Sequence, residues 1–339
     1  MDRIAAVQAE GLVIPLIDFA TFLRGDNAQR RDTAKAILQG FQTAGFIYLK
    51  NIPITRETQE RTFALSARFF ALPTATKLAQ AWTTPEANRG YSAPGREKAT
   101  RETDPGRVEA LRSAAPDIKE SFEMGREGDP DHPNQWPAEA EDADAALAGF
   151  REAMLDFFAQ CMELHVEVMR ALALAMGLDA RFFDRFVDVG DNTLRLLHYP
   201  AVDKRVFRVN PGQVRAGEHS DYGSITLLFQ DQRGGLQVRS PTGDFVDAAP
   251  IEDTCVVNAG DLLARWSNGT IKSTVHRVVE PPTCAGDIHP PRYSIAYFCN
   301  PNFKDDIEAI PGTYATEAQK KYPGINSGQY LVQRLAATY

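Results

Sequence analysis

The spacing of apolar and polar positions changes character along the chain. Val13 to Phe19 is a short apolar run containing Pro15, which has no N–H to give a ladder, so it reads as an edge strand. From Asn27 onward Ala34, Ile37, Leu38 and Phe41 recur at helical spacing, and Gly45 closes the segment. Phe46 to Leu49 reads as a strand ended by Asn51 and Pro53. A second helix starts at the candidate N-cap Thr55 and reaches Phe70, with Pro73 beyond it. Ala81 to Glu141 loses the periodicity. It is rich in Pro, Gly and charge and reads as a long irregular segment of the kind that forms lids and binding loops. The strongest helix follows: Leu147, Phe150, Met154, Phe157, Cys161, Leu164, Val168, Leu172 and Ala175 step by three or four, and Gly177 sits where a C′ glycine belongs. Such a stripe needs no function beyond support, and His165 beside it reads as a packed or surface histidine.

After Asp191 the pattern turns to short β-rich runs. Thr193–Tyr199, Ser224–Gln230, Leu236–Arg239, Thr254–Val257, Thr274–Val279 and Tyr293–Cys299 are separated by Gly, Pro, Asp and Asn clusters. This density of strands with only turns between them predicts an antiparallel sandwich or barrel rather than βαβ units. Ala315 to Tyr339 reads as two helical pieces parted by Pro323 and Gly324, and no internal repeat is found.

Composition narrows the class. The chain has 339 residues, 43% of them hydrophobic, enough for a large core without staples. With 37 Lys+Arg against 45 Asp+Glu the net charge is −8, which disfavours nucleic acid as a partner. Cys161, Cys255, Cys284 and Cys299 show no zinc-ligand spacing and read as reduced thiols. Met1 to Glu10 lacks the apolar run of a signal peptide, and no stretch is long and apolar enough to cross a bilayer. The expectation is a soluble cytoplasmic monomer with no membrane partner.

Three sets of residues carry candidate chemistry. His219-Ser220-Asp221 opens an apolar strand, and in extended chain residues i and i+2 face one side, so imidazole and carboxylate can address one ion. His-x-Asp is common by chance, so taken alone the pair reads as solvated polar loop residues. His276 lies in a β-branched run 55 positions after Asp221. Two imidazoles and a carboxylate form the facial triad of non-haem Fe(II) oxygenases, whereas in isolation His276 reads as a core histidine satisfied by a carbonyl. Arg292 and Ser294 share a face of the strand that follows and together offer a guanidinium and a hydroxyl to a carboxylate. The plain alternative is a surface arginine pairing with a local acid. An inward arginine on an apolar strand, however, needs an anionic partner.

Ordered over most of the chain, these elements resemble the isopenicillin N synthase-like family of Fe(II)/2-oxoglutarate-dependent oxygenases. The resemblance is carried by Ile14-Pro15-Leu16-Ile17-Asp18, Gly45-Phe46-Ile47-Tyr48, Phe69-Phe70-Ala71-Leu72-Pro73, Arg89-Gly90-Tyr91 and Lys119-Glu120-Ser121-Phe122. It continues through His219 to Gln230, Gly234-Gly235-Leu236-Gln237-Val238, Val257-Asn258-Ala259-Gly260-Asp261, Ser267-Asn268-Gly269, Lys272-Ser273-Thr274-Val275-His276-Arg277 and Arg292-Tyr293-Ser294. It implies an α+β protein with a mainly β core, a double-stranded β-helix (jelly roll) flanked by N-terminal and C-terminal helices. It also implies Fe(II) held by His219, Asp221 and His276, with the far carboxylate of 2-oxoglutarate on Arg292 and Ser294. Tyr199 matches a tyrosine that contacts this carboxylate, and reads equally as a packing aromatic. Two departures stand out: Leu197 occupies a position that is often asparagine in plant members, and Pro281 to Pro291 is an insertion expected to lengthen a hairpin.

The implied reaction uses O2 and decarboxylates 2-oxoglutarate to succinate and CO2 while hydroxylating or desaturating a small organic molecule. No side-chain general base is needed, so the catalytic residues are the metal centre alone. Alternatives within the family are an oxidase that dispenses with 2-oxoglutarate and an ethylene-forming enzyme; outside catalysis, a jelly-roll binding module is disfavoured because all three ligands are present. The expected organisation is 1–140 as an N-terminal region with a lid-like segment, 141–190 as support helices, 191–300 as the metal and cosubstrate core, and 301–339 as a helical tail, in one body. Substrate contacts are expected from Tyr91, Phe122 and Phe298, with Phe207 and Arg208 as weaker candidates, for each of which packing is an equal reading.

Overall fold

The computed structural model describes residues 4–100, 102, 104–137, 147–210, 212–281 and 286–338. Fifteen strands precede its C-terminal tail: β1 (Ala5–Ala9), β2 (Leu12–Asp18), β3 (Phe46–Lys50), β4 (Gly90–Ser92), β5 (Glu120–Met124), β6 (Thr193–Tyr199), β7 (Val202–Asp203), β8 (Ala216–His219), β9 (Ile225–Gln230), β10 (Leu236–Arg239), β11 (Phe245–Asp247), β12 (Thr254–Ala259), β13 (His276–Val278), β14 (Ile288–His289) and β15 (Arg292–Cys299). Nine form one sheet in the order β1-β2-β3-β12-β9-β15-β6-β5-β4, and four form a second, β11-β10-β13-β8. Only the β2–β3 strand pairing in these sheets is parallel. The remaining two, β7 and β14, pair with each other, so part of the inserted segment ladders onto the stretch after β6 rather than lengthening its own hairpin. Residues 282–285, Cys284 among them, lie outside the described residues.

The central strands of the large sheet are buried on both faces. Leu194 and Leu196 of β6, with Cys255 and Val257 of β12, enter the larger apolar cluster with the helices. Leu197, Tyr199 and Val256 point the other way, into a second cluster with Ala216, Leu236, Val238 and Val278 of the small sheet. The strongest helix runs Phe150–Ala175, a turn later than Leu147 suggests, and packs Phe157 edge-on to Phe229 and Phe158 edge-on to Tyr297, ring centres 5.2 and 5.0 Å apart. His165 on this helix is fully buried, with Nε2 3.3 Å from Ser224 Oγ. Cys161, Cys255 and Cys299 are buried free thiols.

Three expectations change. The Pro15 strand is not an edge: β1 pairs along one half and β3 along the other, and Pro15 stands where the β1 register shifts. The segment read as irregular holds helix Pro105–Ala114 and strands β4 and β5. Of the two C-terminal helical pieces, the first is one short 3₁₀ turn and the second is the helix Ser327–Thr338. The helix Asn27–Thr43 ends as expected, with Gly45 at φ +72°. A Cβ on Gly45 would lie 2.4 Å from Thr274 Oγ1 and 2.6 Å from the Lys272 carbonyl, so only glycine allows this helix end to lie against the segment leading into β13.

Candidate metal centre and its two chambers

His219 ends β8 and His276 begins β13, and antiparallel pairing sets them opposite one another, ring centres 4.4 Å apart. Asp221 lies in the turn after β8, its Oδ1 3.9 Å from His219 Nε2 and 3.7 Å from His276 Nε2. One donor atom from each residue falls within 4.8 Å of the others, the one such His/Cys/Asp/Glu group among the described residues. The spare atoms are already committed. His219 Nδ1 donates to the Gly217 carbonyl at 2.7 Å and His276 Nδ1 to the Thr274 carbonyl at 3.2 Å, which fixes the tautomer and leaves both Nε2 lone pairs inward. Asp221 Oδ2 accepts from Thr226 Oγ1 at 2.6 Å and Asn258 Nδ2 at 2.7 Å, leaving Oδ1 toward the imidazoles.

Electrostatics suit a cation here. Burial, then the neighbouring His276, pushes His219 down to about 4, so its ring is neutral at physiological pH. Burial opposes ionisation of Asp221, but the two histidines and the Asn258 and Thr226 hydrogen bonds outweigh it and hold the carboxyl below its ordinary value. Two imidazoles and one carboxylate, aimed at one point and braced from behind, fit a divalent transition metal.

Two chambers meet at this triad. One is lined by Tyr199, Leu197, Lys119, His276, Arg292 and Ser294, the other by Asn88, Glu97, Tyr222, Leu331 and Leu335; His219, Asp221, Arg195 and Phe298 border both. A larger cleft of about 600 Å³ near Arg239 and Lys272 contains none of the triad, so size alone does not find the centre. In the first chamber Arg292 is 1% exposed. Its Nε donates to the Gly234 carbonyl at 2.9 Å and its Nη1 to Ser294 Oγ at 3.2 Å. The Tyr199 ring lies 4.8 Å from its Cζ. Leu197 sits directly across from Ser294, which makes that wall apolar.

A buried ion network joins Glu97 of the second chamber to Lys119 of the first. Arg195 Nη1 lies 3.2 Å and Lys119 Nζ 3.0 Å from Glu97, and Arg195 Nε lies 2.8 Å from Glu123 Oε1. Burial alone would raise Glu97, but Arg195 and Lys119 bring it down to about 2. Phe298 lines this chamber with the Arg195 Cζ 5.2 Å over its ring. Tyr91 and Phe122, expected here, line neither chamber. The Tyr91 hydroxyl donates to Glu120, and Phe122 is wedged between Phe69 and Phe150, because their strands β4 and β5 turn these faces into the helical core. Phe207 lies against His289 rather than the chambers.

Known proteins are similar to this chain over nearly its whole length. Residues 14–139 match the model described as non-haem dioxygenase in morphine synthesis N-terminal, and residues 190–301 match the 2OG-Fe(II) oxygenase superfamily. A 2-oxoglutarate-Fe(II) type oxidoreductase (ppzD) of Metarhizium rileyi is 35% identical over 95% of this chain and 90% of that protein. The chain belongs to the 2-oxoglutarate–Fe(II) oxygenases. It is a 2-oxoglutarate-dependent dioxygenase, with Fe(II) and 2-oxoglutarate as its cofactor and cosubstrate. The proline hydroxylase buaE of Petromyces alliaceus is 34% identical to this oxygenase over 95% of the chain. Among solved structures, a full-length Neurospora crassa protein in complex with alpha-KG and thymine is 70% identical with a TM-score of 0.92, covering 99% of this oxygenase and 100% of that chain. The same Neurospora protein in complex with alpha-KG and 5-formyluracil is also similar, at 66% identity and a TM-score of 0.90 over 99% of each chain. No helix among the described residues is long and apolar enough to cross a membrane.

Arg195 and Glu97 were not singled out from sequence, and Lys119, Tyr222, Thr226 and Asn258 were named there only within the motifs that carry the resemblance, without a role. For Arg195 a signal exists: it is the one charge inside the apolar strand TLRLLHY, on the same face as Leu197 and Tyr199. Nothing in the local pattern around the others shows that their side chains reach the centre.

Proposed function

We propose that this oxygenase oxidises the C5 methyl group of thymine, with His219, Asp221 and His276 holding Fe(II) and with Arg292, Ser294 and Tyr199 holding the far carboxylate of 2-oxoglutarate. In this reading the strands of the two sheets that lie within 191–300 are the halves of a double-stranded β-helix, extended and closed by the 1–140 region, the 141–190 helices and the 301–339 tail. The observation that carries it is the full-length, 70% identical match to the Neurospora protein bound to alpha-KG and thymine. Thymine and 5-formyluracil differ only in the oxidation level of one exocyclic carbon, which fits stepwise oxidation of that carbon. One turnover converts C–H, O2 and 2-oxoglutarate into C–OH, succinate and CO2; a second converts the alcohol into the aldehyde and water.

Bound Fe(II) supplies the oxygen chemistry and couples it to decarboxylation. The chain's own residues orient and exclude. Arg292 and Ser294 offer charge-assisted and neutral donors to a carboxylate at the closed end of their chamber. Phe298, Tyr222, Leu331 and Leu335 provide apolar walls for a small flat ring, and Arg195 with Glu97 provides a donor and an acceptor for an edge that alternates carbonyl and N–H. The test is incubation with thymine, Fe(II), 2-oxoglutarate and O2, followed by mass spectrometry. Expected are 5-hydroxymethyluracil, then 5-formyluracil, with one succinate per oxidation. Succinate release that thymine does not stimulate would overturn the substrate assignment.

A further inference from the structure

Among the described residues the two largest fully buried side chains are both arginines, Arg215 and Arg292. Arg215 immediately precedes β8, where its N–H donates to the Val278 carbonyl at 2.9 Å. Among the described residues its Nη1 reaches only the Tyr199 carbonyl, at 3.5 Å, and its Nε and Nη2 have no partner. Tyr199 pairs in register with Arg292, whose guanidinium lies over the tyrosine ring. The two cations therefore flank one residue, and among the described residues neither has a carboxylate within 4.0 Å. The nearest acids are occupied elsewhere: Asp231 accepts from the Tyr293 and Arg233 N–H groups, and Glu280 pairs with His289 Nε2 at 2.6 Å. Burial, then repulsion from Arg292, pushes Arg215 down to about 10, so the two charges feel each other.

Burying an unpaired guanidinium costs the fold and gives it nothing that an apolar side chain of similar size would not. We propose that Arg215 is a positioning residue for the cosubstrate: acting through Arg292 and Tyr199, its unneutralised charge makes this end of the chamber selective for a doubly charged 2-oxo acid. The inference rests on the reading of Arg292 and Ser294 as carboxylate anchors. Arg215 itself does not line the chamber. A buried unit charge acting at one remove from the carboxylate is of the size that changes affinity by about 10- to 30-fold.

The test compares Arg215→Met, Arg215→Lys and Arg292→Met. For Arg215→Met, thermal melting of the metal-free protein is expected at the wild-type temperature or above it. Anaerobic titration of the Fe(II)-loaded protein with 2-oxoglutarate, followed by visible charge-transfer absorption, is expected to show a Kd raised about tenfold or more. Arg215→Lys should recover most of that loss, and 2-oxobutyrate, a monoanion, should bind wild type and Arg215→Met alike. A Met variant that melts lower or fails to fold makes Arg215 structural and overturns the proposal, as does an unchanged Kd or a Lys variant no better than Met. If Arg292→Met leaves the Kd unchanged, the anchor reading itself fails; if it weakens binding while Arg215→Met does not, only the Arg215 inference fails.

Discussion

The two chambers that meet at the His219–Asp221–His276 triad are built in opposite ways. The Arg292 chamber takes most of its wall from strands β6, β8, β13 and β15, whose registers are fixed by ladder hydrogen bonds to neighbouring strands. The Glu97 chamber is assembled from a loop near Asn88, the stretch around Glu97, the turn at Tyr222 and the helix Ser327–Thr338. A strand-built wall repeats with period two and tolerates little change, whereas a wall made of loops and a terminal helix can be altered one segment at a time. In the proposed reading the invariant cosubstrate occupies the rigid side and the variable substrate the adaptable one.

The largest expected effect strikes both sides together. Asp221→Ala or His276→Ala should cost several kcal/mol of catalysis, on the order of a thousandfold in thymine-dependent succinate release, while circular dichroism stays native. Near-normal turnover in either variant would break the triad assignment. Next comes a double dissociation. Arg292→Met should raise the 2-oxoglutarate requirement by about 1.5–3 kcal/mol, some 10- to 150-fold, with little change in thymine KM at saturating cosubstrate. Arg195→Lys should do the reverse, raising thymine KM about tenfold by losing the planar fork. Steady-state kinetics in both substrates checks the pair, and equal effects on both would mean that the chambers are not separate.

A smaller effect is expected behind the metal. Asn258→Ala removes one of the two donors on Asp221 Oδ2 and should weaken Fe(II) binding by about 10- to 100-fold, measurable by metal titration. The smallest lies outside both chambers. Burial pushes His165 down to about 3, so the folded state refuses a proton that the unfolded chain accepts near pH 6.5. Its contribution is fully present above that pH and is lost as the pH falls toward 3, about 2 kcal/mol by pH 5. Denaturant unfolding at pH 7.5 and 5 should show a smaller drop for His165→Gln than for wild type; an equal drop would mean that this imidazole does not set the acid limb.

The difference between the chambers also explains what the sequence could reveal. His219, Asp221 and His276, like Arg292 and Ser294, sit on or beside strands where alternation declares a shared face. The Glu97 wall was hidden because its charges imitate a solvated surface. Lys98, Lys119, Glu120 and Glu123 lie in a stretch that composition marks as exposed, yet all are buried. Each is neutralised by a partner distant in sequence or across the chain, such as Lys98 with Asp117 at 2.9 Å and Lys77 with Glu120 at 2.8 Å. Pairing cancels the desolvation cost that makes charge a marker of exposure, and a linear pattern cannot register it. Tyr91 and Phe122 show the converse: aromatic residues in a presumed lid belong to the main apolar core.

Gly45 carries a consequence for recombining these enzymes. The Thr274 carbonyl that orients His276 belongs to the same short segment whose Thr274 hydroxyl leaves no room for a side chain at position 45. Phe46, the next residue, touches the His276 ring edge-on at 5.4 Å. A chimera that splices an N-terminal third from one relative onto the remainder of another therefore inherits a foreign brace beside the proposed metal ligand His276. Such hybrids should fold yet load metal poorly unless positions 45 and 46 travel with the 272–276 segment.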